Sequence, residues 1–460
     1  MDSDTARDTA RDTKQTRREA EALASALRSD LQGKGIRRLA VTFINHAGAT
    51  LVKVVPLGRL PEVARDGVGF SPVSDAWTVD GVPDPDHALA VPDGDLRLIP
   101  DLKALLPLEA ALGWAWAPGD RRDREGHPYG ADQRSFCRRQ QRTLSGLGIE
   151  LTAGFEIEWL VAETRAGTVC QPAVAGGPYG ADRVVNGFDY LAALTEALDA
   201  AELPWLQIHP EYGPGQFELS LAPGNPLQAA DRLVAARLLI QRVTHRFGWQ
   251  VSFSPLPEPA WVGNGGHLHV SLREQGLPLL EGGDGPAGLT PRGAGVLGLL
   301  LEELPALLPI ACPLVISYRR LGPGRWSAPF QAWGVENREA ALRLIPSAGD
   351  GAAAHLELKV ADLAANPYLL CGALMALVAA GLLGGRPLPD PVVGDPSKLP
   401  SQPPRLPRRL ETASACFAGS EILRSAMGPL LHETLLQSQV AECRRAARID
   451  DEQLITSSRW

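Results

Sequence analysis

The segment spanning residues 208–221, IHPEYGPGQFELSL, constrains the fold more than any other stretch of this chain. Alternating polar and apolar residues flank the turn at residues 213–215, which is the pattern of a β-hairpin with one polar face. Glu211 and Glu218 share that face. Two bare carboxylates about 4 Å apart repel each other by roughly 4 kcal/mol at an effective dielectric constant near 20. A bound cation would remove this cost; the simpler alternative is the solvated outer face of an antiparallel sheet.

Composition limits the classes of protein to which the chain can belong. Its 460 residues, 45% of them hydrophobic, can bury a large core and predict two domains. The net charge of −8 gives a nucleic acid no electrostatic footprint, so we expect no nucleic-acid partner. The charged first 38 residues lack the apolar core of a secretory signal. Six scattered cysteines indicate reduced thiols of a cytoplasmic protein, at positions 137, 170, 312, 371, 416 and 443.

One apolar run, residues 367–385, is almost long enough to cross a membrane. It is rich in alanine and glycine and directly follows a strand-like run that carries charged residues. This context favours a helix buried in a large globular core. We therefore predict no membrane partner.

Periodicity and turn residues give the order of the elements. Residues 1–33 form a polar, partly helical leader, and strand-like runs follow at residues 37–45 and 50–57. Loops rich in proline, aspartate and glycine then reach about residue 107. A helix near residues 132–147 leads into a larger unit without regular βαβ alternation, which indicates the α+β class. The strands predicted there are 150–162, 205–211, 216–221, 250–253, 266–272, 341–345 and 355–360. The helices are 188–201, 226–247, 291–308 and 367–383, with more helix over 411–445.

Three further strand-like segments carry potential metal ligands on one face. Each segment alone is more often a half-buried structural strand, but together they supply carboxylates and imidazoles to one unit. Hard oxygen ligands with a single imidazole suit Mg²⁺ or Mn²⁺ better than zinc. The residues are Glu156 and Glu158 in GFEIEWL, His267 and His269 in VGNGGHLHVSL, and His355, Glu357 and Lys359 in HLELKVAD.

Arginines accompany these segments. The planar guanidinium group fits phosphates and carboxylates, so the arginines indicate a metal-assisted phosphoryl-transfer site. Ordinary salt bridging is the alternative for each of them. They are Arg319, Arg320, Arg338 and Arg343.

The order of the segments, over nearly the whole chain, resembles the type I branch of the glutamine synthetase family. The matching pieces are GFEIEWL, HPEYGPGQFELSL, GNGGHLHVSL, SYRRLGPG, WGVENREAALRLIP, LELKVADLAANPYL and LPRRLETA. The resemblance implies an α+β fold, with a leader at 1–33, a small N-terminal β-grasp domain at 34–125 and a larger catalytic domain at 126–460. The larger domain would hold an antiparallel barrel-like sheet surrounded by helices. A homo-oligomer is also implied, a dodecamer of two hexameric rings with active sites between subunits.

The resemblance further implies a site that uses ATP and two to three Mg²⁺ or Mn²⁺ ions. One ion would be held by Glu158, Glu211 and Glu218, and another by Glu156, His267 and Glu357. The arginines that hold the transferring phosphate, both catalytic and nucleotide-binding, would be Arg338 and Arg343. The other nucleotide-side positions would be His269 and Ser271. The residues that bind the glutamate substrate would be Arg320, Gly263, Glu158 and Lys359.

The chain departs from the family where ammonia is handled. Ser327, in PGRWSAP, stands at the catalytic position of a flap glutamate, and a serine is no effective base near neutral pH. The family's ammonium-binding aspartate is missing from GFSPVSDAW, where only Asp75 could substitute. Lys359 replaces an arginine, and a lysine cannot form the bidentate contact with a phosphate or carboxylate that an arginine can. The regulatory adenylylation tyrosine has no counterpart in DPSKLPSQPPRLP.

These departures predict an ATP-dependent ligase that joins glutamate to an organic amine as a γ-glutamyl amide, through a γ-glutamyl phosphate intermediate. Two alternatives stay open: a true glutamine synthetase that uses ammonia with another base, and a non-catalytic structural or regulatory ring. A wider amine pocket could be lined by aromatic residues, with core packing as their alternative role. They are Trp326, Trp333, Tyr179 and Tyr212.

Overall fold

The computed structural model describes residues 3–109, 112–163, 171–347 and 353–459. The first part of the chain builds one sheet of six strands, in the order β2-β1-β6-β4-β3 with β5 paired to β6. Only β1 and β6 run parallel. The elements are α1 (Ser3–Gly33), β1 (Arg38–Ile44), β2 (Thr50–Pro56), α2 (Leu60–Asp66), β3 (Val68–Phe70), β4 (Leu96–Pro100), β5 (Leu106–Glu109) and β6 (Trp114–Arg122).

Sequence periodicity predicts this part only in outline. The strands expected at 37–45 and 50–57 are confirmed as β1 and β2. The expectation of loops up to residue 107 is wrong, because α2, β3, β4 and β5 lie there. These elements are short and interrupted by prolines, so they leave little periodic signal. The leader is one helix, α1, whose buried Ala24 and Leu31 belong to the core of this sheet.

The second part builds a nine-stranded, nearly closed, barrel-like sheet surrounded by helices, which confirms the predicted α+β class. The strand order is β13-β14-β15-β11-β7-β9-β8, with β10 paired to β7 and β12 to β11. The elements before residue 280 are α3 (Gln133–Gly146), β7 (Ile149–Glu163), α4 (Ala181–Asn186), α5 (Phe188–Ala200), β8 (Trp205–Pro210), β9 (Gln216–Leu221), α6 (Pro226–Arg246), β10 (Trp249–Ser252), β11 (Leu268–Glu274) and β12 (Leu277–Pro278). Those after it are α7 (Pro291–Ala311), α8 (Ser317–Arg320), β13 (Phe330–Val335), β14 (Ala340–Ile345), β15 (His355–Leu358), α9 (Pro367–Leu383), α10 (Leu410–Gly419), α11 (Glu421–Met427), α12 (Pro429–Ala446) and α13 (Asp451–Arg459).

Every strand and helix predicted in this second part is present, with ends that differ by a few residues. Periodicity missed two described strands of this part, the two-residue β12 and the longer β13. Phe330, Ala332 and Trp333 of β13 are all nearly fully buried, so the polar–apolar alternation that marks a half-exposed strand is absent. β13 is also parallel to its neighbour β14, whereas the other pairs in the sheet are antiparallel.

Two apolar helices form the interior of the larger unit. α9, predicted as a buried core helix, is buried along almost its whole length, and the side chain of Asn366 caps its N-terminus. Among the described residues, α7 is long and apolar enough to cross a membrane by length and composition. However, 72% of the most apolar 18-residue stretch of α7 is buried inside the molecule. α7 and α9 pack against each other, which accounts for the apolar surface of both.

The cysteines fit the expectation of reduced thiols where they are described. Cys137, Cys312 and Cys371 are buried, Cys416 and Cys443 are partly buried, and all five are free thiols. The sixth, at position 170, lies outside the described residues.

Asp75 is part of a buried ionic network rather than an open substrate site. Arg121 Nη1 lies 2.6 Å from Asp75 Oδ2, His46 Nδ1 lies 3.1 Å from Oδ1, and all three side chains are fully buried. Burial alone would raise the pKa of Asp75, but Arg121 and His46 outweigh it and hold the pKa far below its usual range. The interpretation of Asp75 as a replacement ammonium ligand is therefore wrong, because both of its oxygens are already paired.

Replacing Asp75 by asparagine should lower the free energy of unfolding by about 3 kcal/mol, because buried Arg121 is left with one carboxylate, Asp132 at 2.8 Å, instead of two, and His46 loses its carboxylate partner. Denaturant unfolding followed by circular dichroism measures the change. A matched control is Glu302→Gln, which breaks the half-exposed pair with Arg386 at 3.0 Å and should cost at most about 1 kcal/mol. Equal effects of the two substitutions would contradict the network's structural role.

Candidate functional site

The strand register of the large sheet brings the predicted ligands together. β7 lies between β11 and β9, and Glu158 of β7 stands directly opposite Glu218 of β9. In the hairpin, Glu218 is also opposite His209 of β8, which confirms the predicted polar face. On the other side of β7, β11 pairs with β15, so that Glu357 enters from there. Side chains at such paired positions are neighbours on one face of the sheet.

The opposite face of β7 explains why the acidic face is fixed. Phe155, Ile157 and Trp159 alternate with the glutamates and are at most 3% exposed. A shift of the strand register by one residue would turn Glu156 and Glu158 into the core and the three apolar side chains toward the acidic face. The hydrophobic core therefore fixes the direction in which both carboxylates point.

His267 connects the two halves of the acidic cluster. Its Nδ1 lies 3.0 Å from Glu156 Oε2 and 3.5 Å from Glu357 Oε1, while its Nε2 lies 3.8 Å from Glu158 Oε1. Three groups have ligand atoms within 4.8 Å of one another and could hold a metal ion. They are Glu156 with His267 and Glu357, Glu158 with Glu218 and His267, and His209 with Glu211 and Glu218.

The first of these groups has the composition expected for one metal. The other expected set, Glu158, Glu211 and Glu218, is divided between the second and third groups, and Glu218 belongs to both. His209 is an additional candidate that sequence reasoning missed, with Nε2 3.2 Å from Glu218 Oε1. Its alternation with Glu211 in the hairpin was the available signal.

The electrostatics of the cluster are those of carboxylates crowded together. The pKa of Glu158 is raised to about 7, first by burial and then by the charges of Glu218 and Glu211. Burial and Glu218 likewise raise the pKa of Glu211. The hydrogen bond to Glu218 raises the pKa of His209 to about 9. A divalent cation would relieve this repulsion, and the oxygen-rich donor set suits Mg²⁺ or Mn²⁺.

The other half of the cluster is already compensated by cations. Burial works against the charge of Glu156, but hydrogen bonds with His267 and His269 outweigh it and lower the pKa of Glu156. Similarly, Lys359 and His267 outweigh burial and lower the pKa of Glu357 to about 2. Both carboxylates are thus held ionised, which is the state that binds a metal.

Several residues not singled out by the sequence hold the ligands in place. Glu158 Oε2 accepts hydrogen bonds from the amide of Gly265 at 2.7 Å and from Gln216 Nε2 at 3.0 Å. A Cβ atom on Gly265 would lie 2.4 Å from His267 Nε2, so only glycine fits there. Buried Arg183 donates to the carbonyls of Glu211, Gly213 and Gln216 and thereby fixes the hairpin turn.

Four of the residues predicted for phosphate, nucleotide or substrate lie near the carboxylates. Arg343 Nη1 donates to Glu357 Oε2 at 3.0 Å. Lys359 Nζ lies 3.6 Å from Glu357 Oε1 and 3.5 Å from His267 Nε2. His269 Nε2 lies 3.3 Å from Glu156 Oε2, and Ser271 follows it on the same face of β11.

Within the described ranges the remaining predicted residues make no ion pair or hydrogen bond with the carboxylates of the cluster. Arg320 is buried and its Nη2 donates to the carbonyls of Val360 and Ala361. Gly263 packs against it, since a Cβ there would lie 2.6 Å from Arg320 Cγ. Arg338 is exposed on the wall of a cavity described below.

Ser327 is 3% exposed, and its hydroxyl closes a short loop instead of facing the carboxylates. It accepts a hydrogen bond from the amide of Gly322 at 2.9 Å and donates to the carbonyl of Gly322 at 3.1 Å. Arg319, considered above for phosphate, forms an exposed salt bridge with Asp451 at 2.6 Å. Arg319 therefore has the structural role of a surface salt bridge, which was the alternative to phosphate binding.

The four aromatic residues considered for an amine pocket fall into two groups. Trp333 is 1% exposed and donates to the carbonyl of Pro389 at 2.7 Å, so it belongs to the core. The other three are exposed near Glu211: Tyr179 donates to its carboxylate at 3.0 Å, and Tyr212 packs against Trp326 with ring centroids 6.2 Å apart.

A mostly antiparallel sheet, together with the turn after β8, presents five glutamates and His267 beside Arg343, which is the donor set of a divalent-metal phosphoryl-transfer site. The family model described as glutamine synthetase, catalytic domain, matches residues 130–454. The chain belongs to the glutamine synthetase family, whose members are ligases that generally use ATP and divalent metals.

The comparisons also identify particular relatives. The chain is 39% identical to the gamma-glutamylpolyamine synthetase GlnA3 of Streptomyces coelicolor, over 94% of this chain and 95% of that protein. It is 25% identical to the glutamate–isopropylamine ligase of a Pseudomonas species, over 84% and 87%. Among solved structures, a complex of GmaS with ADP superposes with a TM-score of 0.81 at 26% identity, over 94% of this chain and 98% of that one.

If Glu158, Glu211 and Glu218 hold the ion without His209, Mn²⁺ binding should strengthen with pH up to about 7 and then level off. Below that value Glu158 holds a proton, with its pKa raised to about 7, and the ion must displace it. One displaced proton makes the affinity rise about tenfold per pH unit. Titration of Mn²⁺ followed by electron paramagnetic resonance at pH 5.5 to 8 measures this. Glu158→Gln should flatten the dependence, and a flat profile in the unaltered protein would contradict the assignment.

Proposed function

We propose that this chain is an ATP-dependent ligase that joins the γ-carboxyl group of glutamate to an organic amine. The observation that supports an organic amine as the substrate concerns Ser327. Its hydroxyl group is hydrogen-bonded to both the amide and the carbonyl of Gly322. A serine held in this way offers neither a charge for ammonium nor a base. Asp75 is equally committed, to Arg121 and His46. The names of the two relatives that use a polyamine and isopropylamine support the same reading.

The first step is transfer of the γ-phosphoryl group of ATP. An oxygen of the glutamate γ-carboxylate bonds to the γ-phosphorus, the bond to ADP breaks, and γ-glutamyl phosphate forms. Arg343 and exposed Arg338 are the side chains we assign to the charge of the transferring group. Two to three Mg²⁺ or Mn²⁺ ions, held by the glutamates together with His267, would supply Lewis acidity. Arg343 is kept in position by its hydrogen bond to Glu357.

The second step is attack of the neutral amine on the acyl carbon. The carbon–oxygen bond breaks, inorganic phosphate leaves, and the nitrogen passes a proton to the departing phosphate to give the amide. Water would destroy the same intermediate, so the site must exclude it. Exposed Tyr179, Tyr212 and Trp326 beside Glu211 provide an apolar approach for an alkyl chain.

The substrate and nucleotide sides are assigned from the remaining contacts. Arg320 is proposed to grip the α-carboxylate of glutamate, since its Nε is buried with no hydrogen-bond partner among the described residues. Gly263 leaves room for it. Lys359 and Glu158 are proposed to contact the glutamate substrate as well, and His269 with Ser271 are proposed to face the nucleotide.

We further infer a cytoplasmic homo-oligomer, a dodecamer of two hexameric rings with sites between subunits. Val52 and Val54 lie on the edge strand β2 and are about half exposed, which suits a subunit interface. The two sheets, each with its own hydrophobic core, support a division into a β-grasp domain at 34–125 and a catalytic domain at 126–460.

The test is phosphate release from ATP, Mg²⁺ and glutamate with a panel of amines that includes ammonia. We expect at least one organic amine to exceed ammonia in kcat/KM by about tenfold or more, equivalent to about 1.4 kcal/mol. Ammonia as the best nucleophile by a wide margin would make this a glutamine synthetase. Nucleotide binding without turnover of any amine would make it a non-catalytic ring.

Glu218→Ala provides the control for the panel. Glu218 belongs to two of the three potential metal groups, so its loss should reduce turnover by about a hundredfold or more. Size-exclusion chromatography should give the same assembly as the unaltered protein, because the side chain is not part of the exposed surface. Retained activity would remove Glu218 from the site.

A further inference from the structure

A cavity with both polar and apolar walls lies next to Trp326, whose ring packs against Tyr212 beside Glu211. Its volume is about 630 Å³, within the range of small-molecule sites. Three segments form its walls: residues 324–326, residues 335–339 and residues 391–398. The charged and aromatic residues of these walls are Trp326, Glu336, Arg338, Glu339, Asp395 and Lys398.

Glu339 is the unusual member of this set. It is only 7% exposed, and its Oε1 accepts a hydrogen bond from the amide of Trp326 at 2.8 Å. Its Oε2 is buried and has no hydrogen-bond partner within the described parts of the chain. Burial raises the pKa of Glu339 accordingly. A buried carboxylate oxygen left without a donor is costly, so a ligand that donates hydrogen bonds would be favoured here.

Among the described residues no lysine or arginine lies within 4.0 Å of a Glu339 oxygen, and the more distant charge of Lys359 only partly offsets the effect of burial on this carboxylate. Lys398 Nζ pairs with Asp395 Oδ2 at 3.3 Å. Arg338 is the residue proposed above for the transferring phosphoryl group. Glu336 adds another exposed carboxylate to the wall, and among the described residues neither it nor Glu339 has a salt-bridge partner within 4.0 Å. The cavity therefore attracts a positively charged ligand.

One wall of the cavity leads directly to the metal-ligand carboxylates. The ring of Trp326 packs against Tyr212, and the amide of Tyr212 donates to Glu211 Oε2 at 2.9 Å. The loop around Trp326 is strained, because Trp326 and Ala328 have φ angles of 50° and 54°. Glu339 helps to hold this strained loop through its bond to the amide of Trp326. Strain of this kind persists where surrounding contacts fix the backbone.

We propose that this cavity binds the second ammonium group of a diamine or polyamine, and that Glu339 determines specificity for it. The proposal rests on the amine-ligase function above and adds the substrate class. One amino group of the substrate attacks the acyl phosphate near Glu211, while the distal ammonium donates to Glu339 Oε2 and is attracted by Glu336. The indole of Trp326, 55% exposed, offers a face for the methylene chain and the cation.

The test compares 1,4-diaminobutane with 1-aminobutane, which has the same chain but lacks the second amino group. Glu339→Gln keeps an oxygen to accept from the amide of Trp326 and removes the charge. We expect the ratio of kcat/KM for the diamine to that for the monoamine to fall about tenfold or more. Glu336→Gln, at an exposed wall position, should lower the ratio in the same direction by a smaller factor.

Asp390→Asn is the matched control, because exposed Asp390 lies next to the 391–398 wall without lining the cavity. The ratio of kcat/KM for the diamine to that for the monoamine should be the same in Asp390→Asn as in the unaltered protein. This result would show that the diamine is recognised by a local contact and not by general attraction between the doubly charged diamine and the acidic protein. Equal losses for both amines in Glu339→Gln, or an unchanged ratio in both wall variants, would overturn the subsite alone. Absence of turnover with every amine in the unaltered protein would instead overturn the proposed function and the subsite with it.

Discussion

The repulsion between Glu158 and Glu218 is the constraint on which the site depends. The two carboxylates stand directly opposite each other on neighbouring antiparallel strands, an arrangement that destabilises a sheet when both are charged. The core residues behind β7 prevent a shift of register, so the strands cannot separate the charges. Protonation of Glu158, His209 beside Glu218, or a divalent cation are the ways to relieve the repulsion. Both His209, 3.7 Å from Glu211, and a cation would also compensate the third carboxylate, Glu211.

The two halves of the cluster respond differently to the same burial. Glu156 and Glu357 are compensated by histidines, Arg343 and Lys359 of the chain itself. Glu158 and Glu211 have only longer contacts of this kind, with His267 at 3.8 Å and His209 at 3.7 Å, and burial outweighs them, so their pKa values rise. Affinity for an ion should therefore be more sensitive to pH on the side that faces the hairpin, which is also the side of the exposed aromatic residues.

The sequence predicted the sheet face well and its surroundings poorly. Alternation in β7, β9, β11 and β15 placed the glutamates and His267 on one side of one sheet, because a period of two is a property of each strand alone. Alternation gives no information about distant partners. It therefore missed that His46 and Arg121 pair with Asp75, that Ser327 closes on Gly322, and that Trp333 is a core residue. Glu339 required the folded arrangement to be recognised, whereas the alternation of His209 with Glu211 was already visible in the sequence.

The central claim is that the glutamate γ-carboxyl group is activated as an acyl phosphate before an organic amine attacks it. The direct measurement uses glutamate labelled with ¹⁸O in both γ-carboxyl oxygens, together with ATP, Mg²⁺ and 1,4-diaminobutane. Mass spectrometry of the released phosphate should find one ¹⁸O atom per phosphate, because the oxygen that bonds to phosphorus leaves with it. Phosphate without ¹⁸O, formed while the amide accumulates, would contradict the account.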